Sequence, residues 1–352
     1  MLTLFAGISS CTETSQTIPS TSQEFALAED SDALAQYEEI RSIFKRYFYR
    51  EVTETELAAL SFEYSAVSID PHSEIFSEEM ICEAHSLESQ SPYGIAREEV
   101  AYEFKGNGYG YIRVSGFKME TTPNNFRNAV SAMIAENNSK SLSGLILDLR
   151  NNRGGDLHIV VEVIREMLGS QRYFINGSYD RRAAQMFTII RRGRISDSYR
   201  AYTREPAVEN NVPILILVNS VTGSAAELLT GVLQAHGRAL VAGTSRTYGK
   251  GVIQDYFKLE TGGCLRLTTG HYLVGSEGCE QAVQRIGIHP DIRLIPDIAR
   301  FPGPYEEDLK NAPETISLPT PHCGYHFEVL PEHWEAVYEM LRILGLTPVI
   351  EE

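Results

Sequence analysis

Positive charge is scarce in this sequence. Lys and Arg number 31 against 47 Asp and Glu, for a formal net charge of −16. Nucleic-acid binding needs clustered cations to meet phosphates, and docking on an anionic membrane surface needs a basic patch; the balance argues against both. Long apolar runs are missing as well. No stretch reaches the ~18 consecutive apolar residues of a spanning helix. There is no His-Glu-x-x-His or Cys-x-x-Cys spacing, which argues against a metal site. The isolated histidines His158, His236 and His289 read as structural or exposed. Cysteine is sparse: Cys11, Cys82, Cys264, Cys279 and Cys323. The last four permit disulfides without requiring them. Cys264 and Cys279 flank an expected hairpin and are the expected pair in an oxidising compartment. No internal repeat is present.

What remains is an ordinary globular composition, 43% hydrophobic and 22% charged over 352 residues, enough for one large domain or two smaller ones. Residues 1–30 read as a signal-like segment and tether. Met1 to Ser10 is mostly apolar and runs into Ile8-Ser9-Ser10-Cys11, which resembles a lipoprotein cleavage box and would make Cys11 a lipid anchor, although a basic n-region is missing. Residues 31–105 form an N-terminal helical region, with Thr53-Glu54-Thr55-Glu56 as a capping box and Leu57, Leu60 and Tyr64 at helical spacing. Residues 106–300 form the core. There, strands at 109–117, 143–149, 212–219 and 239–244 alternate with helices at 122–137, 156–168 and 224–236, the pattern of an α/β fold with a largely parallel sheet. The strand-rich excursion 172–203 is expected to cap the cleft. Residues 301–352 are a C-terminal extension whose Pro331–Leu344 segment reads as an amphipathic helix, docking on the core or on a second subunit in a homo-oligomer.

Two residues carry the chemistry. Ser224 follows the apolar run Val212–Val218 and opens a helix-period stretch, in Asn219-Ser220-Val221-Thr222-Gly223-Ser224-Ala225-Ala226-Glu227. It therefore sits on a strand-to-helix turn with small neighbours. The first amides of a helix lack intrahelical partners and carry partial positive charge, so the Ala225 N–H suits an oxyanion. Lys250 lies between Gly249 and Gly251. A hydroxyl needs a base to become a nucleophile, and a lysine can be that base when burial lowers its pKa. Leu145–Leu157 adds a strand running into a turn with adjacent Gly154 and Gly155, a second source of backbone donors. Taken singly, the serine is an ordinary N-cap and the lysine an ordinary loop residue; the joint pattern makes them a pair.

In combination these segments resemble the C-terminal processing, or tail-specific, peptidases. Gly108–Phe117 is similar to that family's first core strand, Asp148–Gly155 to its glycine turn, Asn219–Glu227 to its nucleophile motif, and Arg246–Gln254 to its lysine loop. Gly263–Tyr272 and Gly287-Ile288-His289-Pro290-Asp291 are similar to its closing hairpin and turn, and Ile69-Asp70-Pro71-His72-Ser73 to its upstream Asp-Pro-His-Ser element. The resemblance spans residues 35–300. It implies a crotonase-like/ClpP-like spiral core and a serine endopeptidase acting on polypeptide, without metal or organic cofactor. Ser224 would be the nucleophile, Lys250 the general base and Gln254 an orienting group. The amides of Ala225 and of Gly154 or Gly155 would form the oxyanion hole. It implies a bacterial cell envelope, periplasmic or extracellular location.

The chain departs from that pattern in two places. Only 34 residues, Glu74 to Asn107, separate the Asp-Pro-His-Ser element from the first core strand, fewer than the ~50 of a small domain. The PDZ domain that adds substrate tails to a sheet edge is therefore expected to be absent, leaving selection to the cleft or to an adaptor protein. Arg153 replaces the usual proline of the glycine turn and reads as a solvated residue. The PDZ-less plan also resembles the nisin-resistance proteases, which implies His72 as an alternative partner of Ser224. Two other readings share the fold: a non-catalytic ligand- or protein-binding member, and a crotonase-type acyl-CoA enzyme, for which no basic nucleotide surface is evident.

Overall fold

The apolar runs near residues 112, 146 and 216 become neighbouring strands of one sheet. The computed structural model describes residues 31–59, 70–76, 99–168, 174–175, 178–179, 185–200, 205–275, 278, 280–295, 331–346 and 348. In chain order these form α1 (Ser31–Tyr47), α2 (Glu54–Ala58), β1 (Glu74–Phe76), β2 (Val100–Gly106), β3 (Tyr109–Val114), α3 (Thr122–Glu136), β4 (Gly144–Asp148), α4 (Leu157–Leu168), β5 (Phe174–Ile175) and β6 (Ser178–Tyr179). There follow β7 (Gln185–Arg191), β8 (Arg194–Arg200), β9 (Ile214–Val218), α5 (Ala225–Ala235), β10 (Leu240–Gly243), β11 (Val252–Lys258), β12 (Cys264–Val274), β13 (Gln281–Ala282), β14 (Ile292–Arg293) and α6 (Pro331–Leu344).

Among the described residues the first sheet has the order β14-β10-β9-β4-β3-β2. All its pairings are parallel except β2 with β3. β4 and β9 are buried at every position, because both faces are covered, as a parallel sheet requires. Alternate side chains divide between the faces. Leu145, Leu147, Ile214 and Ile216 point into the larger core with α3, α4 and α5. Ile146, Leu215 and Leu217 point the other way, onto Val337, Met340 and Leu341 of α6. The C-terminal helix thus docks on the core, each fully buried side chain contributing about 1.5–3 kcal/mol.

The second sheet is antiparallel, with order β1-β12-β7-β8 and with β11 and β13 also paired to β12. α1 and α2 cover it, packing Ile40, Phe44, Phe48 and Leu57 against Leu259, Leu265 and Leu267. The α2 capping box is formed: the Thr53 side chain accepts from the Glu56 N–H and the Glu56 carboxylate accepts from the Thr53 N–H. Leu60 and Tyr64 lie outside the described residues, as do Cys11 and the whole 1–30 segment.

The second half of the 172–203 excursion belongs to the sheet: β7 is buried over Gln185–Ile189 and pairs with β12 through Ile189 and Tyr272. Met186, Phe187 and Ile189 supply its apolar packing, and the buried Gln185 donates its side-chain amide to Glu280 at 3.2 Å. Cys264 is disulfide-bonded; its partner lies outside the described residues, as does Cys279.

Candidate active site

β9 ends at Val218, and the chain turns through Asn219–Gly223 before α5 begins. Thr222 holds the turn, its hydroxyl donating to Leu149 O at 2.9 Å. Ser224 occupies the N-cap with φ 56° and ψ −121°, a backbone region that a residue with a side chain enters at a cost of order 1–3 kcal/mol and that clusters at functional sites. The strain is held by the Glu227 carboxylate, which accepts from the Ser224 N–H at 2.9 Å. Serine followed three residues later by glutamate is a recognised helix-start signature, so this contact was available in the sequence.

Glu227 does more than cap. It is fully buried and also accepts from the Thr247 hydroxyl, the Gly249 N–H at 2.6 Å and the Lys250 N–H at 2.8 Å. Burial pushes its pKa up, against four donors that favour the carboxylate. One side chain therefore ties the backbone at the serine to the backbone at the lysine. Sequence reasoning did not assign Glu227 this role.

Lys250 is half-buried, and its pKa is lowered, first by burial and then by the nearby Arg266 charge, with Asp70 acting in the opposite sense. No carboxylate lies within ion-pair distance of its amine among the described residues. An ammonium deprived of water and of a counter-ion loses its proton more readily, which is the condition for a lysine base.

The glycine turn lies against Ser224. A Cβ on Gly154 would stand 2.7 Å from both Ala225 N and Ser224 Cβ, so only glycine permits this approach. The Gly154 N–H is taken by the Asn152 side chain at 2.8 Å. Asn152 is itself buried and donates to Val114 O at 2.9 Å. The amides of Gly155 and Ala225 make no hydrogen bond among the described residues. Of the two candidate glycine donors, Gly155 is therefore the one left available. Arg153 is exposed on this turn.

The Asp70–Ser73 turn reaches the same site from far away in sequence. Asp70 accepts from Ser73 Oγ at 2.7 Å and from the Thr268 hydroxyl, and Ser73 Oγ accepts from the Thr268 N–H at 3.0 Å. This pins the turn to β12. Gln254 donates its side-chain amide to the His72 carbonyl. Among the described residues this bond ties Gln254 to the turn, and no hydrogen bond from it to Lys250 or Ser224 occurs. His72 is half-buried, and burial lowers its pKa, with Asp70 opposing and the Lys250, Arg266 and Arg285 charges reinforcing the effect. His72 Nε2 lies 3.2 Å from the Gln284 side-chain amide, whose oxygen accepts from the Gly251 N–H at 2.7 Å. His289 and His236 lie elsewhere, and no metal-ligand cluster occurs among the described residues. No described helix is long and apolar enough to cross a membrane.

Several known proteins resemble this chain. A carboxyl-terminal-processing protease of Picosynechococcus sp. is 33% identical over 192 residues, covering 54% of this chain and 40% of that protein. The chloroplastic C-terminal processing peptidase of Tetradesmus obliquus is 32% identical over 189 residues, covering 54% and 36%. Both matches span well under half of the relative's own length. The solved photosystem II D1 C-terminal processing protease has 25% identity and a TM-score of 0.48, over 64% of this chain and 56% of that one. The model of peptidase family S41 matches residues 108–294. That range is more than half of the chain and holds the serine turn, the lysine loop and the glycine turn described above, so this chain belongs to peptidase family S41.

Proposed function

We propose that this protein is a serine endopeptidase that cleaves polypeptides through an acyl-enzyme on Ser224, with Lys250 as general base. Ser224 Oγ attacks the peptide carbonyl carbon and its proton passes to the neutral Lys250 amine. The oxyanion is received by the N–H groups of Ala225 and Gly155. The Lys250 ammonium then protonates the leaving amine, and water, deprotonated in turn by Lys250, hydrolyses the ester. The observation that carries this reading is the pairing of a strained serine with a half-buried lysine that has no ion-pair partner among the described residues, on loops joined through Glu227. Gln254 supports the site by holding the Asp70–Ser73 turn in place.

Substrate selection falls to the site itself or to an adaptor. The short span between β1, ending at Phe76, and β2, beginning at Val100, supports this reading, since a PDZ domain needs ~50 residues or more. The disulfide at Cys264 favours an oxidising compartment, the cell envelope or outside the cell.

The test is digestion of an unstructured protein such as casein by wild type, Ser224→Ala and Lys250→Ala. Cleavage by wild type alone is expected. Cleavage by Ser224→Ala, or by no variant in the presence or absence of cell extract, would overturn the reading. One observation favours a second base: His72 lies close enough to Lys250 for their charges to interact. If Lys250→Ala retains activity and His72→Ala loses it, the base is His72.

A further inference from the structure

We propose that Tyr272 is a positioning residue whose hydroxyl holds the nucleophile's backbone to the backbone of its base. The Tyr272 hydroxyl lies 3.0 Å from the carbonyl oxygen of Ser224 and 3.0 Å from the carbonyl oxygen of Lys250. Glu227 joins the N–H groups of these same two residues from the other side of the peptide units. Serine and lysine are therefore clasped at both ends, amides by a carboxylate and carbonyls by a phenol. This inference rests on the peptidase reading for its meaning, though not for its geometry.

Tyr272 suits the task. It comes from β12, which is paired on both sides, through Tyr272 with Ile189 of β7 and through His271 with Val252 of β11. Its own N–H donates to Gly251 O at 3.1 Å, next to Lys250. The side chain is 2% exposed. Burial, with the Glu227 charge in support, holds the phenol's pKa well above its usual value, so it stays a donor throughout the working range. A buried hydroxyl that served only packing would need a single acceptor. This one faces two, and they belong to the two residues whose separation the chemistry depends on. Freed of the clasp, the lysine loop would admit water to the amine and its pKa would rise toward the ordinary value.

Tyr272→Phe keeps the ring and deletes the hydroxyl. Expected are a fall in kcat of about tenfold with KM unchanged, and a melting temperature within a few degrees of wild type. The titration of Lys250, followed by mass spectrometry as the rate of trace acetylation by acetic anhydride against pH, should move upward by about half a pH unit or more. That second readout needs no turnover. An unmoved Lys250 titration overturns the proposal whatever the activity does, and so does an unmoved kcat in an active enzyme. If wild type cleaves nothing and the titration still moves, the clasp stands and the peptidase reading fails.

Discussion

Glu227→Gln is the smallest change that tests whether one buried carboxylate organises the site. Glu227 meets four donors and no obligate acceptor: the Ser224 and Lys250 amides on Oε2, and the Thr247 hydroxyl and Gly249 amide on Oε1. A glutamine supplies one oxygen and one NH2 group. Its best arrangement turns the oxygen to Ser224 and Lys250 and the NH2 to Thr247, whose hydroxyl already accepts from the Ile288 N–H at 2.7 Å and has a second lone pair. The Gly249 N–H then faces another donor. One orphaned buried donor costs about 1–3 kcal/mol, and the two retained bonds lose their charge assistance, about half their strength. The expected loss is about 2–4 kcal/mol by urea denaturation at pH 7, with an unchanged m-value. Glu227→Ala orphans all four donors and should not accumulate as folded protein. Activity in Glu227→Gln should fall further than the folded fraction explains, since the strained Ser224 backbone is held by this group. A variant as stable as wild type, or one that loses stability while keeping full kcat, would refute the reasoning.

Other consequences follow from the same geometry. Because burial lowers the Lys250 pKa, kcat/KM should climb with pH through an apparent pKa below the ordinary lysine value of about 10.4, and Lys250→Arg, which stays protonated, should be inactive at every pH in that profile. Asp291 is buried with its pKa raised to about 6; the folded state holds that proton more tightly than the unfolded one, so its contribution is present at acid pH and is lost as pH rises from about 4 to 6, about 3 kcal/mol in all, and urea unfolding across this range should show the fall in wild type and its absence in Asp291→Asn. Gly154→Ala would place a Cβ 2.7 Å from Ala225 N at φ 98°; displacing the oxyanion donor should lower kcat about a hundredfold or more, measured on a peptide ester, with a smaller effect on KM.

The local order of this fold was legible because its signals are local. Unbroken apolar runs such as Ile214–Val218 can only be strands buried on both faces, and the structure covers one face with α3–α5 and the other with α6. The capping box at Thr53 and the helix after Ser224 follow from residues three positions apart. The antiparallel sheet was not legible in the same way. Nothing in Gln185–Arg191 names the partner of β7, which lies in β12, more than eighty residues later.

The candidate site shows where a motif stops being informative. Ser224, Lys250, Ala225 and the adjacent glycines stood out only jointly, since each is an ordinary residue for its own turn or loop. Their mutual geometry depends on groups that look ordinary in sequence. Glu227 reads as a helix-start glutamate, and Tyr272 reads as a strand aromatic among many. Thr268 is one threonine of several, yet it joins the Asp70–Ser73 turn across nearly two hundred residues. Gln254 makes the same point in reverse. Its spacing from Lys250 suggested a contact with the base, but β11 has a register shift between Ile253 and Gln254, and the glutamine side chain bonds the His72 carbonyl instead. A one-residue irregularity in a strand changes which face a side chain serves, and spacing alone cannot reveal it. The groups proposed to carry the reaction are thus legible from their joint pattern, and the groups that set their distances are those whose backbone partners only the folded chain defines.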